Sequence, residues 1–476
     1  MKKTLPRVIV AALRGGSGKT ILSLGLTAAW REKGRRVAPF KKGPDFIDAG
    51  WLTHAAGRPC HNLDPYMMTD AQIRNSFFSN SSDADISLIE GNRGLFDGMD
   101  LSGCCSTAEL GKLLKTPLVL IVDVTMATRT IAALVMGCQK FDPELSIDAV
   151  ILNRVAGPRQ QSLVRNSIER YCGLPVIGSI PKLKGDIFPE RHMGLVPYQE
   201  RAHAKKAISW ARKAVEDNLD LEAVWDLAGA AEPLCGEGHG DQSMPPSFSG
   251  RARPSIGYVR DSAFWFYYPE NLDHLRSLGA KLVEVNAMED KRVQDVDALY
   301  IGGGFPETQA EALANNRSFR ESLRREIEAG LPVYAECGGL MFLGENLIVG
   351  EKTYPMVGVL PVDFLLESKP QGHGYTMLDV IKENPYYPVG KTLKGHEFHY
   401  SRPLPTGSEK INAVFGVKRG HGFDGTSDGL CKKNLLATYT HIHAAGNFLW
   451  GEALVKAARR FKGEREKIFD VSKNRD

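Results

Sequence analysis

Residues 7–20, RVIVAALRGGSGKT, run into the helix-forming segment ILSLGLTAAW and leave the fold little freedom. A β-branched strand has to pass through a glycine turn into the N-terminus of a helix. Glycines tolerate the left-handed backbone of a tight loop and let its N–H groups close around phosphate oxygens, and the helix dipole favours the anion. Gly15, Gly16, Ser17, Gly18, Lys19 and Thr20 are therefore candidate nucleotide-binding residues. Lys19 would reach the β- and γ-phosphates of ATP, and the Thr20 hydroxyl would ligate Mg²⁺. The same residues also suit an ordinary glycine turn capping a helix. The G-x-G-K-T run between strand and helix favours the nucleotide.

The rest of the N-terminal half repeats that rhythm. Apolar runs at 7–11, 36–40, 86–90, 118–122, 149–153 and 176–180 read as buried parallel strands, with helices at 20–33 and 128–140 among their connections. This order predicts a doubly wound α/β sheet. Leu13 stands where the strict phosphate-loop pattern has its first glycine. R-G-G-S-G-K-T is closer to the K-G-G-x-G-K-T loop of deviant Walker ATPases, with Arg14 in place of their lysine. Residues 231–254 are rich in Gly, Pro and Ser without apolar period and read as a linker between domains at 1–230 and 255–476. Strand-like runs resume at 255–259, 281–285, 298–301 and 331–335. The charged tail 462–476 reads as a solvated helix with frayed residues after it.

Composition narrows the function classes. Sixty Lys and Arg against 56 Asp and Glu leave a net charge of +4 over 476 residues, no footprint for nucleic acid or an anionic membrane. No stretch reaches the roughly 18 apolar residues that span a bilayer. The eight cysteines include no C-x-x-C pair and are too sparse for a disulfide scaffold, which points to a reducing, cytoplasmic setting.

Parallel strands deliver their C-terminal ends to one edge, where the phosphate loop lies. Asp45, after the second strand, and Glu90, ending ADISLIE, are candidate Mg²⁺ carboxylates at that edge. Asn153 ends AVILN, and its amide is able to read an adenine edge; a turn-forming asparagine fits as well. Arg93 in GNRGLFDG offers a cation for a substrate carboxylate.

In the second domain, strand 331–335 leads into ECGGLMF. This is a nucleophile elbow with Cys337 in the serine position, at a helix N-terminus expected to lower the thiol pKa and to donate to an oxyanion. A buried structural cysteine is the alternative, against which the glycine pair argues. The cluster IGGGFPE supplies further N–H donors, and THIH late in the chain supplies a base at His441.

Together the phosphate loop, GPDFIDAGW, EGNRGLFDG, ILNRV, GGGFPE, ECGGLMFL, GHEFHYS and THIHAAGN, in this order over residues 5–455, resemble the cobyrinic acid a,c-diamide synthase family. The resemblance implies a dethiobiotin-synthetase-like ATP domain and a class I glutamine amidotransferase-like domain. The implied reaction is ATP- and glutamine-dependent amidation of the a- and c-side-chain carboxylates of a tetrapyrrole through an acyl phosphate, and family members are commonly dimeric. By position, Cys337 becomes the nucleophile that forms a glutamyl thioester and His441 its base. Gly303 and Gly338 become oxyanion donors, and Asp48 and Asp97 lie between ATP and the macrocycle. Ordinary class I glutaminases carry Glu two residues after the histidine, where this chain has His443. Glu397 is one source of the orienting carboxylate; His396 and His399 have no assigned role. GNRGLFDG leaves siroheme and nickel-sirohydrochlorin open beside cobyrinate as macrocycle. A ParA/MinD-like ATPase switch is the rival of another class, opposed by the Cys337 elbow, and cobyric acid synthase is opposed by GPDFIDAGW and GHEFHYS.

Overall fold

The computed structural model describes residues 2–183, 190–191, 194–195, 204–235, 253–407 and 411–473. The chain forms two compact units, Met1–Gly240 and Asp241–Asp476. Most of the segment read as a linker, residues 236–252, lies outside the described residues. Its first part belongs to the first unit: Leu234–Cys235 pairs antiparallel with Lys2–Lys3.

The first unit is built on a seven-stranded sheet in the order His61–Leu63, Val37–Lys42, Ile86–Glu90, Arg7–Ala12, Leu118–Asp123, Ala149–Val155, Val176–Pro181. Every pairing is parallel. The strand order reverses about Arg7–Ala12, and that central strand feeds the phosphate loop, where doubly wound sheets hold their ligands. Val8, Ile9 and Val10 have no exposed surface, as strands covered on both faces require. The same strand opens on a charge, Arg7, which is fully buried because its guanidinium donates to the carbonyls of Leu5, Leu114, Lys115 and Glu232. Helix Lys19–Glu32 is buried along nearly its whole length. At Gly25 it meets helix Ala204–Glu216 so closely that a Cβ would lie 2.3 Å from Val215 Cγ2.

Two differences from the sequence reading matter for the site. Strand Val37–Lys42 runs two residues past the predicted end at Phe40, so Lys41 and Lys42 sit inside the ladder, opposite Glu90 and Leu63 respectively. Their charge hides them from any apolar pattern. The short edge strand His61–Leu63 carries too few residues for a period.

The second unit holds a nine-stranded sheet ordered Lys281–Val285, Ser255–Val259, Ala298–Ile301, Val333–Glu336, Leu435–Thr438, Ser427–Lys432, Ala413–Arg419, Gly372–Val380, Thr392–His399. The first five strands are mutually parallel and the rest antiparallel. Helix Phe448–Lys473 packs beside Ala298–Ile301, burying Trp450, Leu454 and Ala458. Val333–Glu336 and Leu435–Thr438 lie side by side in register Glu336 to Thr438, so the chain leaves both strands at one edge. Among the described residues no helix is long and apolar enough to cross a membrane.

Candidate functional site

In the first unit the phosphate loop occupies the sheet edge as expected. Gly16 and Gly18 adopt φ of 69° and 96°, left-handed values that favour glycine. Gly18 also faces Asn153, whose Nδ2 lies 2.4 Å from where a Cβ would stand. Both ends of the Asn153 amide are engaged at the loop, as the turn-forming reading allows: Nδ2 donates to the Ser17 carbonyl at 2.8 Å, and Oδ1 accepts from the Arg154 amide at 2.9 Å. The side chain clamps the loop. Arg154 adds a second clamp, donating to Gly16 O at 3.0 Å and pairing with Asp123 at 2.6 Å. Arg14 pairs with the same carboxylate at 3.0 Å. Bonds from Thr125, Arg154 and Arg14 outweigh the burial of Asp123 and hold its carboxyl well below the usual range.

Lys19 Nζ donates to the carbonyls of Arg93, at 2.6 Å, and Arg14, at 3.2 Å. Burial, with the nearby Lys41 charge, pulls Lys19 down to about 8. The Thr20 hydroxyl donates to Glu90 Oε1 at 2.8 Å and meets Asp48 Oδ2 at 3.3 Å. Lys41 Nζ bridges the same two oxygens, at 2.8 Å and 2.6 Å. Its own burial works against its charge, but Asp48 and Glu90 outweigh that and raise its pKa. Desolvation pushes Glu90 up to about 7, and desolvation with the Asp48 charge pushes Asp45 up to about 6.

Asp45 and Asp48 differ in their partners. Asp45 Oδ1 accepts the Asp48 amide at 2.9 Å in the turn that opens helix Ile47–Ala56, whereas Asp48, one turn on, accepts from the Thr20 hydroxyl. Asp97, which is exposed, accepts the Gly94 amide at 2.7 Å within its own turn and acts on Lys19 only through its charge.

The residues fit Mg²⁺. Glu90 Oε2 is buried without a hydrogen-bond partner, next to the Thr20 hydroxyl, and the Lys41 ammonium marks a position between two carboxylates that a cation occupies. Among the described residues no three His, Cys, Asp or Glu side chains converge on a metal. Magnesium held by one or two carboxylates plus phosphate oxygens needs no such cage.

In the second unit, Cys337 follows strand Val333–Glu336 and caps helix Gly338–Leu343 with φ 47° and ψ −100°. A non-glycine residue held there stores strain of about 1–3 kcal/mol, as nucleophile elbows do. The side chain is 4 % exposed. Contrary to the expectation of a lowered thiol pKa, burial and then the Glu307 charge push it up, although the Gly338 amide acts the other way. The resting sulfur is therefore a thiol and requires a base.

His441 leaves the neighbouring strand at the same edge. A Cβ on Gly303 would lie 2.4 Å from His441 Cε1 and 3.1 Å from Nε2, and one on Gly338 would lie 3.1 Å from the Gly304 nitrogen. Gly303 thus packs directly against the His441 ring and Gly338 against the Gly304 backbone, with no room for a side chain at either. His441 itself is held by an antiparallel bridge, exchanging both N–H···O bonds with His396.

The orienting carboxylate is Glu336, which the sequence reading missed. Its Oε2 lies 3.1 Å from His441 Nδ1 and accepts from Tyr300 OH at 3.2 Å; Oε1 accepts from the Ile442 amide at 3.4 Å. Burial raises the Glu336 pKa, partly offset by the bond to His441. A proton on Nδ1 directed at this carboxylate leaves Nε2 toward Gly303 as the basic nitrogen. Asn271 Nδ2 braces the arrangement, donating to Tyr300 OH and to Ile442 O. Glu397 is not the third member: both its oxygens accept backbone amides, of His421 and Gly422, and its nearest imidazole is His399 at 3.8 Å. His443 is also elsewhere, with Nδ1 accepting from Ala445 and Nε2 3.5 Å from Glu270. Only the adjacency in ECGG hinted at Glu336, and it pairs with a partner 105 residues away.

Glu336→Gln preserves shape and removes the charge. It is expected to lower glutaminase kcat by about 10²–10⁴-fold, leaving glutamine KM and ammonia-supported turnover nearly unchanged. Glutamate release, measured against a parallel ammonia assay, checks this. A KM rise with kcat intact would make Glu336 a packing residue.

Residues 8–196 match the model of a CobQ/CobB/MinD/ParA nucleotide binding domain, and residues 255–448 that of a CobB/CobQ-like glutamine amidotransferase domain. A protein of Magnetococcus marinus named cobyrinate a,c-diamide synthase is 42% identical over 96% of this chain and 98% of its own. Proteins of the same name from Archaeoglobus fulgidus and Methanosarcina acetivorans are 40% and 37% identical, over 96% and 97% of this chain and 98% and 97% of theirs.

Proposed function

The chain belongs to the cobyrinate a,c-diamide synthase family, and from that premise we propose the chemistry of each site. The protein is a ligase that forms carbon–nitrogen bonds, with glutamine as nitrogen donor and cobyrinate as acceptor, at the a and c carboxylates. The observation that carries this reading is the strained Cys337 elbow with His441 tied to Glu336, on a chain whose other unit presents a phosphate loop.

A carboxylate resists ammonia because its charge repels the nucleophile and oxide leaves poorly. Transfer of the γ-phosphoryl of ATP to a carboxylate oxygen makes an acyl phosphate with a good leaving group. The loop amides of Gly15, Gly16, Ser17 and Gly18 and the Lys19 ammonium stabilise the charge on the transferring group, while Thr20, Glu90 and Asp48 would hold Mg²⁺. The ion would offset phosphate charge. Lys41 supplies a positive charge between Asp48 and Glu90, and Asp45, Asn153 and Arg154 position the loops.

At the second site, Nε2 of His441 takes the Cys337 proton. The thiolate attacks the glutamine amide carbon, and Gly303 and Gly338 receive the developing oxyanion. His441 returns the proton to the leaving nitrogen, so ammonia departs unprotonated and leaves a glutamyl thioester for water to hydrolyse. Ammonia then displaces phosphate from the acyl phosphate. We place the protein in the cytoplasm, which the free cysteines support. We also take it to work as a homodimer, which the exposed Leu134, Phe141 and Leu163 on neighbouring helices support.

Mass spectrometry of products from cobyrinate, siroheme and nickel-sirohydrochlorin, each supplied with ATP and glutamine, tests the acceptor. The expected result is a diamide from cobyrinate alone. Amidation of another macrocycle in preference would overturn it.

A further inference from the structure

Lys42 ends strand Val37–Lys42 at the edge that carries the phosphate loop, and it is 6 % exposed. Among the described residues no hydrogen bond or ion pair engages its ammonium, unlike Lys41 beside it, which is locked between Asp48 and Glu90. A mostly buried side chain whose charge has no partner is costly to keep unless something else supplies the counter-charge.

Alternation along a strand turns the two lysines to opposite faces of the sheet. Lys41 faces Thr20, Asp48 and Glu90, the side of the phosphates and Mg²⁺. Lys42 faces a different set, feeling the charges of Asp64, Cys105 and Arg93. Burial lowers its pKa and Asp64 partly restores it, but the Asp64 carboxylate is committed to the amides of Tyr66 and Met67, at 2.8 Å and 3.1 Å. Arg93 lies on the neighbouring loop with its backbone held at φ 53°. Its carbonyl grips Lys19, while its exposed guanidinium is engaged by no ion pair among the described residues. Lys42 and Arg93 are thus two cations close enough to feel each other's charge at the edge that carries the phosphate loop, neither engaged by an ion pair among the described residues.

We infer that Lys42, with Arg93, forms an anion subsite for a carboxylate arm of the macrocycle other than the arm being phosphorylated, and so fixes which arm meets the γ-phosphate. This rests on the reading of the acceptor as a polycarboxylate tetrapyrrole. A lone reactive arm would need one cation at the phosphate, whereas a ring bearing several carboxylates needs a second to hold it in register. Arg93 presents a planar fork to such a group and Lys42 a point charge.

Lys42→Met keeps the length and removes the charge. Expected is a rise of about tenfold or more in the KM for cobyrinate, with the KM values for ATP and glutamine within about twofold of the parent. Lys42→Arg should recover most of the loss, and product analysis of the Met variant should show monoamides at both arms. An unchanged cobyrinate KM in the Met variant overturns the subsite while the acceptor reading stands. A parallel rise in the ATP KM also overturns it, by giving Lys42 to the nucleotide. Failure of the parent protein to amidate cobyrinate overturns the acceptor reading and the subsite together.

Discussion

Cys337→Ala is expected to abolish glutamine-supported amidation and to leave ammonia-supported amidation near the parent rate. The sulfur is the atom that bonds to the glutamine carbon, and removing a nucleophile that acts as a unit with its base costs about 10⁶-fold in comparable hydrolases. Alanine at this position is tolerated sterically, since it only deletes Sγ, and the strained φ of 47° is borne by the same turn. The substitution removes a sulfur that meets only the Phe398 carbonyl at 3.8 Å and the Gly338 amide among the described residues, so the fold has little to lose. Steady-state rates with glutamine and with ammonium salts at a pH where free ammonia is available form the measurement. Equal loss with both nitrogen sources would contradict the division of labour between the two units.

Lys19→Ala should halt amidation with either source. In the proposed mechanism this ammonium offsets charge on the transferring phosphoryl group, and it sits in a site dry enough to pull its pKa down to about 8. A charge in such surroundings acts on a phosphoryl group far more strongly than in water. Loss of one preorganised donor of this kind costs about 10²–10³-fold, and the loss of a full charge sets that as the lower bound. Because the Arg93 carbonyl also loses its donor, thermal unfolding of the variant belongs beside the kinetics. Phosphate release and amide formation falling together, with unfolding near that of the parent, is the expected result. Normal turnover would remove the loop from the mechanism.

The elements most legible in the sequence were those whose geometry is local. Gly16 and Gly18 of the phosphate loop sit at positive φ because the turn demands it, and the helix begins at Lys19 directly after them. The Cys337 elbow is local in the same sense: strand, strained residue and helix follow one another within a few positions. Apolar runs disclosed the parallel strands of both units. Charged Lys41 and Lys42 broke that signal, and the strand was read as ending before the two residues that carry its chemistry. Asp45 and Asp48 both stand out in GPDFIDAGW. Which of two carboxylates three positions apart accepts an amide in the opening turn and which looks across to Thr20 is a matter of helix phase.

What the amino-acid order determined by itself was the inventory: a phosphate loop, a thiol on a turn, and an imidazole late in the chain. What tertiary structure alone decided was who stands beside whom. Glu336 and His441 are partners because parallel strands 333–336 and 435–438 align in register and end together, a relation no local pattern encodes. The neighbouring lysines 41 and 42 differ in surroundings because strand pleating sends one between Asp48 and Glu90 and the other to the opposite face, and only the packed sheet shows which face is which.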